Sequence, residues 1–123
     1  MMQPRRRLLV VEDDATVREM LELVLDDAGY EVRSVPHGAA ALAVLNEVRP
    51  DVILLDMKMP VMDGWEFVRR YRARQGPRAP VIVLTAAQDD ARCAAEVGAR
   101  AYLAKPFAID DLLSLIDQVA APS

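Results

Sequence analysis

The stretch Asp51-Val52-Ile53-Leu54-Leu55-Asp56 sets four consecutive apolar residues between two acids, and turn-forming residues follow in Met57-Lys58-Met59-Pro60-Val61-Met62-Asp63-Gly64. A short apolar run bounded in this way reads as a strand buried on both faces, the pattern of a parallel sheet covered by helices. Chemistry in such sheets gathers at the carboxyl ends of the strands, where Asp56 falls.

Working outward from that strand, the chain alternates between two periodicities. Arg7 to Val11 reads as a first strand ending in Glu12-Asp13-Asp14. Val17, Met20, Leu21, Val24, Leu25 and Ala28 then mark a helical stripe, with Thr16 and Glu19 as a capping box and Gly29 as its stop. Tyr30 to Val35 is a second, shorter strand. A helix opening at His37-Gly38 carries Ala41, Leu42, Leu45 and Val48 inward and closes before Pro50.

Beyond the central strand, Asp63 and Glu66 form a second capping box for a helix burying Trp65, Phe67, Val68 and Tyr71 to differing degrees, with Arg69, Arg70, Arg72 and Arg74 outward. Val81-Ile82-Val83-Leu84 is a fourth apolar strand ending at Thr85-Ala86. A short alanine-rich helix stops at Gly98. Ala101-Tyr102-Leu103-Ala104 is the fifth strand, Lys105-Pro106-Phe107 the loop after it, and Leu112, Leu115, Ile116 and Val119 line the last helix. Five strands alternating with five helices predict a doubly wound α/β fold, because each right-handed crossover must cover a face of the sheet.

Composition narrows the class. At 123 residues and 53% hydrophobic content the chain supports its own core, and no apolar run has the length of a membrane span. The basic start, Met1 to Arg7, reads as a tail before the first strand, since acids follow at once; a cytoplasmic protein is expected. The single cysteine, Cys93, reads as an ordinary small helix residue. A net charge of −4 argues against general affinity for nucleic acid, and Arg5 to Arg7 and the arginines from Arg69 to Arg78 read as solvated faces.

One sheet would bring Glu12-Asp13, Asp56, Thr85 and Lys105 into a single crevice. Three carboxylates there would repel one another unless a hard divalent cation relieved them, and Mg²⁺ suits carboxylates with retained waters and a phosphate. With a lysine and a threonine hydroxyl added, the set describes a seat for a phosphoryl group on Asp56. Asp14, Asp51 and Asp63 read as caps or turn acids, His37 as a surface residue, and Trp65 as partly exposed near the crevice.

The chain resembles the receiver domain of two-component response regulators over nearly its whole length, in Leu9 to Asp14 with Arg18, Asp56 to Gly64, Val83 to Ala86, and Gly98 to Phe107. The resemblance implies one flavodoxin-like receiver domain, 1–123, with strand order 2-1-3-4-5. It implies that Asp56 takes a phosphoryl group from a histidine kinase or histidine phosphotransfer protein. Asp13, Asp56 and the backbone carbonyl of Lys58 would ligate Mg²⁺, with Glu12 acting mainly through water. Thr85 would hold a phosphoryl oxygen, Lys105 would pair with the phosphate, and Tyr102 would rotate inward behind Thr85. The Lys105-Pro106 bond would be cis.

Such a protein is a signalling switch that catalyses only its own phosphorylation and dephosphorylation. The surface of the fourth helix, fifth strand and fifth helix would act on a downstream protein or output domain, without direct nucleic-acid or membrane contact. Two departures stand out: Glu12 where aspartate is commoner, and no paired acids in Gly98 to Tyr102 of the kind that winged-helix regulators carry there. Two other classes fit less well. A dehalogenase-type phosphatase needs an acid where Lys58 stands, and a flavodoxin-like nucleotide binder needs a phosphate loop where Glu12-Asp13-Asp14 would repel phosphate. Neither Lys58 nor Ala87 offers a group to orient water, so slow self-dephosphorylation is expected.

Overall fold

The computed structural model describes residues 5–57, 63–74, 78–86, 95 and 98–120. Five parallel strands, β1 (Arg7–Val11), β2 (Glu31–Val35), β3 (Val52–Asp56), β4 (Val81–Ala86) and β5 (Ala101–Lys105), form one sheet in the order β2-β1-β3-β4-β5. Four helices stand among the described residues: α1 (Ala15–Asp27), α2 (Gly38–Val44), α3 (Gly64–Ala73) and α4 (Ile109–Ala120). Five were expected; the alanine-rich stretch between β4 and β5, with Cys93 in it, lies outside the described residues apart from Ala95. What was counted as the fifth helix in the sequence is therefore α4.

The unbroken apolar runs of β1, β3 and β4 are explained by what lies on either side. Every residue of β3 is buried. Alternate side chains feed two cores, as the period of two along a strand requires. Leu9, Val11, Ile53, Leu55, Val81 and Val83 pack with Ala41 of α2 and Phe67, Val68 and Tyr71 of α3. Leu8, Val10, Val52, Leu54, Ile82 and Leu84 pack on the opposite face with Leu21 and Leu25 of α1 and Leu112 and Ile116 of α4. Each fully buried aliphatic side chain contributes about 1.5–3 kcal/mol of transfer free energy, so the two layers hold the strand ends in fixed register. The strand order reverses between β1 and β3, which opens a crevice at their carboxyl ends.

Helix termini depart from the expected pattern in instructive ways. Asp14, not Thr16, caps α1: its Oδ1 accepts from the amides of Thr16 and Val17 at 2.9 and 3.2 Å. Thr16 lies one position inside the helix, so it has no role as a cap. Asp63 caps α3 as expected, accepting from Glu66 N at 2.9 Å, while the Glu66 carboxylate turns instead to Arg69 and Arg70. His37 is half-buried rather than a free surface group, because its Nδ1 accepts from Ala40 N at 3.1 Å and caps α2. Helix α2 ends at Val44, well before Pro50. Gly29, at φ 102°, ends α1 as expected.

The basic start is more than a solvated face. Arg5 reaches the carbonyl end of α1, donating to Gly29 O at 3.0 Å, to Asp26 Oδ1 at 2.9 Å and to Tyr30 O. Arg6 donates to Ala120 O at the end of α4, and Arg7 pairs with Glu31 across β1 and β2 at 3.0 Å. A cation at helix carbonyl ends is favourable, and these contacts tie the entry of the chain to the sheet. No described helix is long and apolar enough to cross a membrane.

Candidate functional site

β1 and β3 deliver their acids to the crevice as residues immediately at, or just past, the strand ends. Asp56 closes β3, and Glu12 and Asp13 follow β1. Carboxylate oxygens of Glu12, Asp13 and Asp56 all lie within 4.8 Å of one another. Glu12 is 1% exposed and Asp56 7%, while Asp13 is open to solvent.

Glu12 is locked in place on every side. Its amide donates to Val35 O at 3.1 Å, its carbonyl accepts from Arg18 Nη1 at 2.9 Å, and its Oε2 accepts from Asp14 N at 3.2 Å. Arg18 thus holds the β1 exit loop from the first turns of α1. Its orienting contact runs to a backbone carbonyl, which the residue pattern alone did not reveal.

The cation of the site comes from β5. Lys105 Nζ lies 2.9 Å from Glu12 Oε1 and 3.7 Å from Asp56 Oδ1, so in this state its shorter contact is to Glu12. Burial by itself pulls the Lys105 pKa down. The hydrogen bond to Glu12, together with the fields of Asp56, Glu12 and Asp13, outweighs that loss and holds the ammonium above its ordinary value. The Lys105-Pro106 peptide bond is cis.

Thr85, 3% exposed, sits one residue beyond Leu84, the register partner of Asp56. It therefore shares the site's level in the sheet. Tyr102 pairs in register with Val83, and its ring is 41% exposed, turned outward rather than inward behind Thr85. Lys58 and Ala87 lie outside the described residues.

Gly64 plays a part that its place in a turn did not reveal. Its amide donates to Met57 O at 3.2 Å, and a Cβ there would come within 2.9 Å of Met57 Cα as well as striking Met57 Sδ. The start of α3 closes directly on the residue after Asp56, and only a glycine permits that approach. Trp65, 42% exposed, follows at once, as expected.

This donor set fits a hard divalent cation: three clustered carboxylate groups, two of them buried, with one ammonium against them. The sequence profile of the response regulator receiver domain matches residues 8–117. The chain belongs to the response regulator receiver domain family.

Among relatives of this receiver domain, the DNA-binding response regulator MtrA of Mycolicibacterium paratuberculosis (strain ATCC BAA-968 / K-10) is 40% identical over 114 residues, which are 91% of this chain and 50% of that protein. The chain spans about half the length of the curated relatives it matches. Chemotaxis response regulator CheY4 of Vibrio cholerae superimposes with a TM-score of 0.84 at 37% identity, covering 94% of this chain and 99% of that one. The receiver domain of sensor histidine kinase PA1611 from Pseudomonas aeruginosa PAO1, described with a magnesium ion coordinated in the active site cleft, gives 0.86 at 32% identity over 95% and 98%.

Proposed function

We propose that this receiver domain, taken as one unit from residue 1 to 123, is phosphorylated on Asp56 by a histidine kinase or histidine phosphotransfer protein. The observation that carries the reading is the convergence of three carboxylates within 4.8 Å, with an ammonium 3.7 Å from Asp56. An Asp56 carboxylate oxygen attacks the phosphorus of a phosphohistidine. The new O–P bond forms as the P–N bond breaks, and its electron pair returns to the donor imidazole. Asp13 and Asp56, with the carbonyl of Lys58, would hold a Mg²⁺ ion and Glu12 would act on it mainly through water; the ion would supply positive charge against the transferring group.

The chain's own groups do the rest. Lys105 leaves Glu12 for a phosphoryl oxygen, and the Thr85 hydroxyl donates to another. As Thr85 draws in, Tyr102 gives up its outward position and turns behind it. The face formed by the segment between β4 and β5, β5 itself and α4 then presents a different surface to a downstream protein or output domain. The domain turns over no external substrate, makes no direct nucleic-acid contact and works in the cytoplasm.

Incubation with acetyl phosphate or phosphoramidate and Mg²⁺, followed by intact mass, tests this reading. The wild-type chain should gain the mass of one phosphoryl group, and Asp56→Ala should gain none. No gain by the folded wild-type chain, or an equal gain by Asp56→Ala, refutes it.

A further inference from the structure

At the end of the sheet opposite Asp56, two adjoining hollows of ≈ 680 and ≈ 590 Å³ share Tyr71, Arg78, Ala79 and Pro80. They open below the amino ends of β3, β4 and β5, since Asp51, Pro80 and Arg100 immediately precede those strands. The first has an apolar floor that includes Leu45, Val48 and Pro50.

The arginines around these hollows differ from the ion-paired ones elsewhere on the molecule. Arg69 and Arg70 of α3 are both paired with Glu66, and Arg5 and Arg7 with Asp26 and Glu31. Arg72, Arg74 and Arg78 instead donate to neutral acceptors: Gly98 O at 2.7 Å, Asn46 Oδ1 at 2.6 Å, and Arg72 O. No carboxylate of a described residue lies within ion-pair distance of these three. Two acids do line the first hollow, but both are engaged elsewhere. Glu47 faces Arg33 at 4.0 Å, and Asp51 Oδ2 accepts from Arg7 N at 2.8 Å. Neutral acceptors aim a guanidinium without cancelling its charge, so these forks are oriented and carry no ion pair to a described residue, although Asp51, bonded only to an amide, keeps its charge at the first hollow.

A buried donor completes the set. Tyr71 is 6% exposed, lines both hollows and is held by stacking on Phe67, with ring centroids 5.9 Å apart. Its hydroxyl accepts from Ala79 N at 2.7 Å, and among the described residues its own hydrogen has no acceptor. Two of these guanidinium groups in either hollow, Arg78 with Arg74 or with Arg72, and a phenol offer more donors than a carboxylate has oxygens to use. A tetrahedral phosphate matches that excess, and the apolar floor suits the body that bears it.

We propose that this end of the molecule binds a small phosphomonoester with an apolar or aromatic body, of which a nucleoside monophosphate is the simplest representative. The site is separate from the Asp56 crevice and does not depend on how that crevice is read.

The test is an amide-shift titration of the full-length Asp56→Ala chain in EDTA, with AMP and with inorganic phosphate as probes. AMP should produce saturable shifts centred on residues 46–51, 71–74 and 78–81, with a Kd at or below about 1 mM. Inorganic phosphate should shift the same amides more weakly. Affinity for AMP should fall at least about ten-fold in Arg74→Gln/Arg78→Gln, a change to one half-buried and one exposed side chain outside the core, and several-fold in Tyr71→Phe, which keeps the ring stack. Non-saturating shifts, shifts centred elsewhere, equal affinity for the two probes, or undiminished binding by the double variant would each overturn the proposal.

Discussion

Removing one charge from the acidic crevice should make the metal-free protein more stable. In Asp56→Asn the side chain keeps its shape and can still accept hydrogen bonds, but two repulsions disappear, from Glu12 and from Asp13. At the 4.8 Å limit each repulsion is about 0.9 kcal/mol in a water-like dielectric and about 3.5 kcal/mol at an effective value of 20. Among the described residues an attraction is lost as well, to Lys105 at 3.7 Å, amounting to about 1.1 or 4.5 kcal/mol on the same two scales. Lys105 retains its shorter contact, with Glu12. The balance favours the variant by about 0.5–2.5 kcal/mol, and relief of a buried charge acts in the same direction. Urea unfolding in EDTA should therefore show a midpoint higher by roughly 0.5–1 M for Asp56→Asn. Saturating Mg²⁺ should reverse the order, because binding at 100 times Kd adds about 2.7 kcal/mol to the wild type and less to a site missing one ligand. A variant less stable than wild type in EDTA, or one stabilised equally by Mg²⁺, would show that the crevice is not governed by carboxylate repulsion.

Three further outcomes are expected. Gly64→Ala, despite the better helix propensity of alanine, should lose about 1–3 kcal/mol because the new methyl meets the Met57 backbone as well as its side chain, and only the side chain can swing away; an unchanged urea midpoint would exclude that clash. The raised pKa of Lys105 means that its contribution to stability is complete below the pKa of an unfolded lysine and is lost as pH climbs through the higher folded value. Stability should fall on the alkaline side, and the fall should be shallower in Lys105→Met; Tyr30, also raised, acts with the same sign and supplies the remaining slope. If Lys58 and Ala87 are the neighbours of the phosphoryl group that the receiver resemblance implies, phosphate on Asp56 should outlast a fast chemotaxis-type signal when followed by intact mass in Mg²⁺; a lifetime of seconds would mean that another group activates the water.

Much of this protein is legible along its chain because the relevant signals are local. A run such as Val52 to Leu55, buried on both sides, needs no partner to be read as a central strand. Strand-end acids, and glycines where helices stop, are equally plain. The first helix cap was less so: Asp14 and Thr16 are both capping residues, and the choice between them depends on which one's backbone is extended. The half-buried capping role of His37 was hidden for the same reason. The arginines at Arg5 to Arg7 looked like solvated charge because their acceptors, carbonyls near helix ends and the carboxylates of Asp26 and Glu31, lie between 21 and 114 residues away.

The amino-acid order alone established a doubly wound parallel sheet and named the acids, hydroxyl and ammonium that its strand ends would carry, because side-chain periodicity and chain connectivity suffice for that. Only the folded arrangement decided that Lys105 rests on Glu12 in preference to Asp56, that Gly64 must admit Met57, that Tyr102 faces outward, and that three arginines gather beneath the sheet without an ion pair to any described residue. Those outcomes depend on differences of an ångström or less between groups as many as 93 residues apart. Coulomb energies and steric contacts vary steeply over such distances, and nothing in the spacing of residues along a chain encodes them directly.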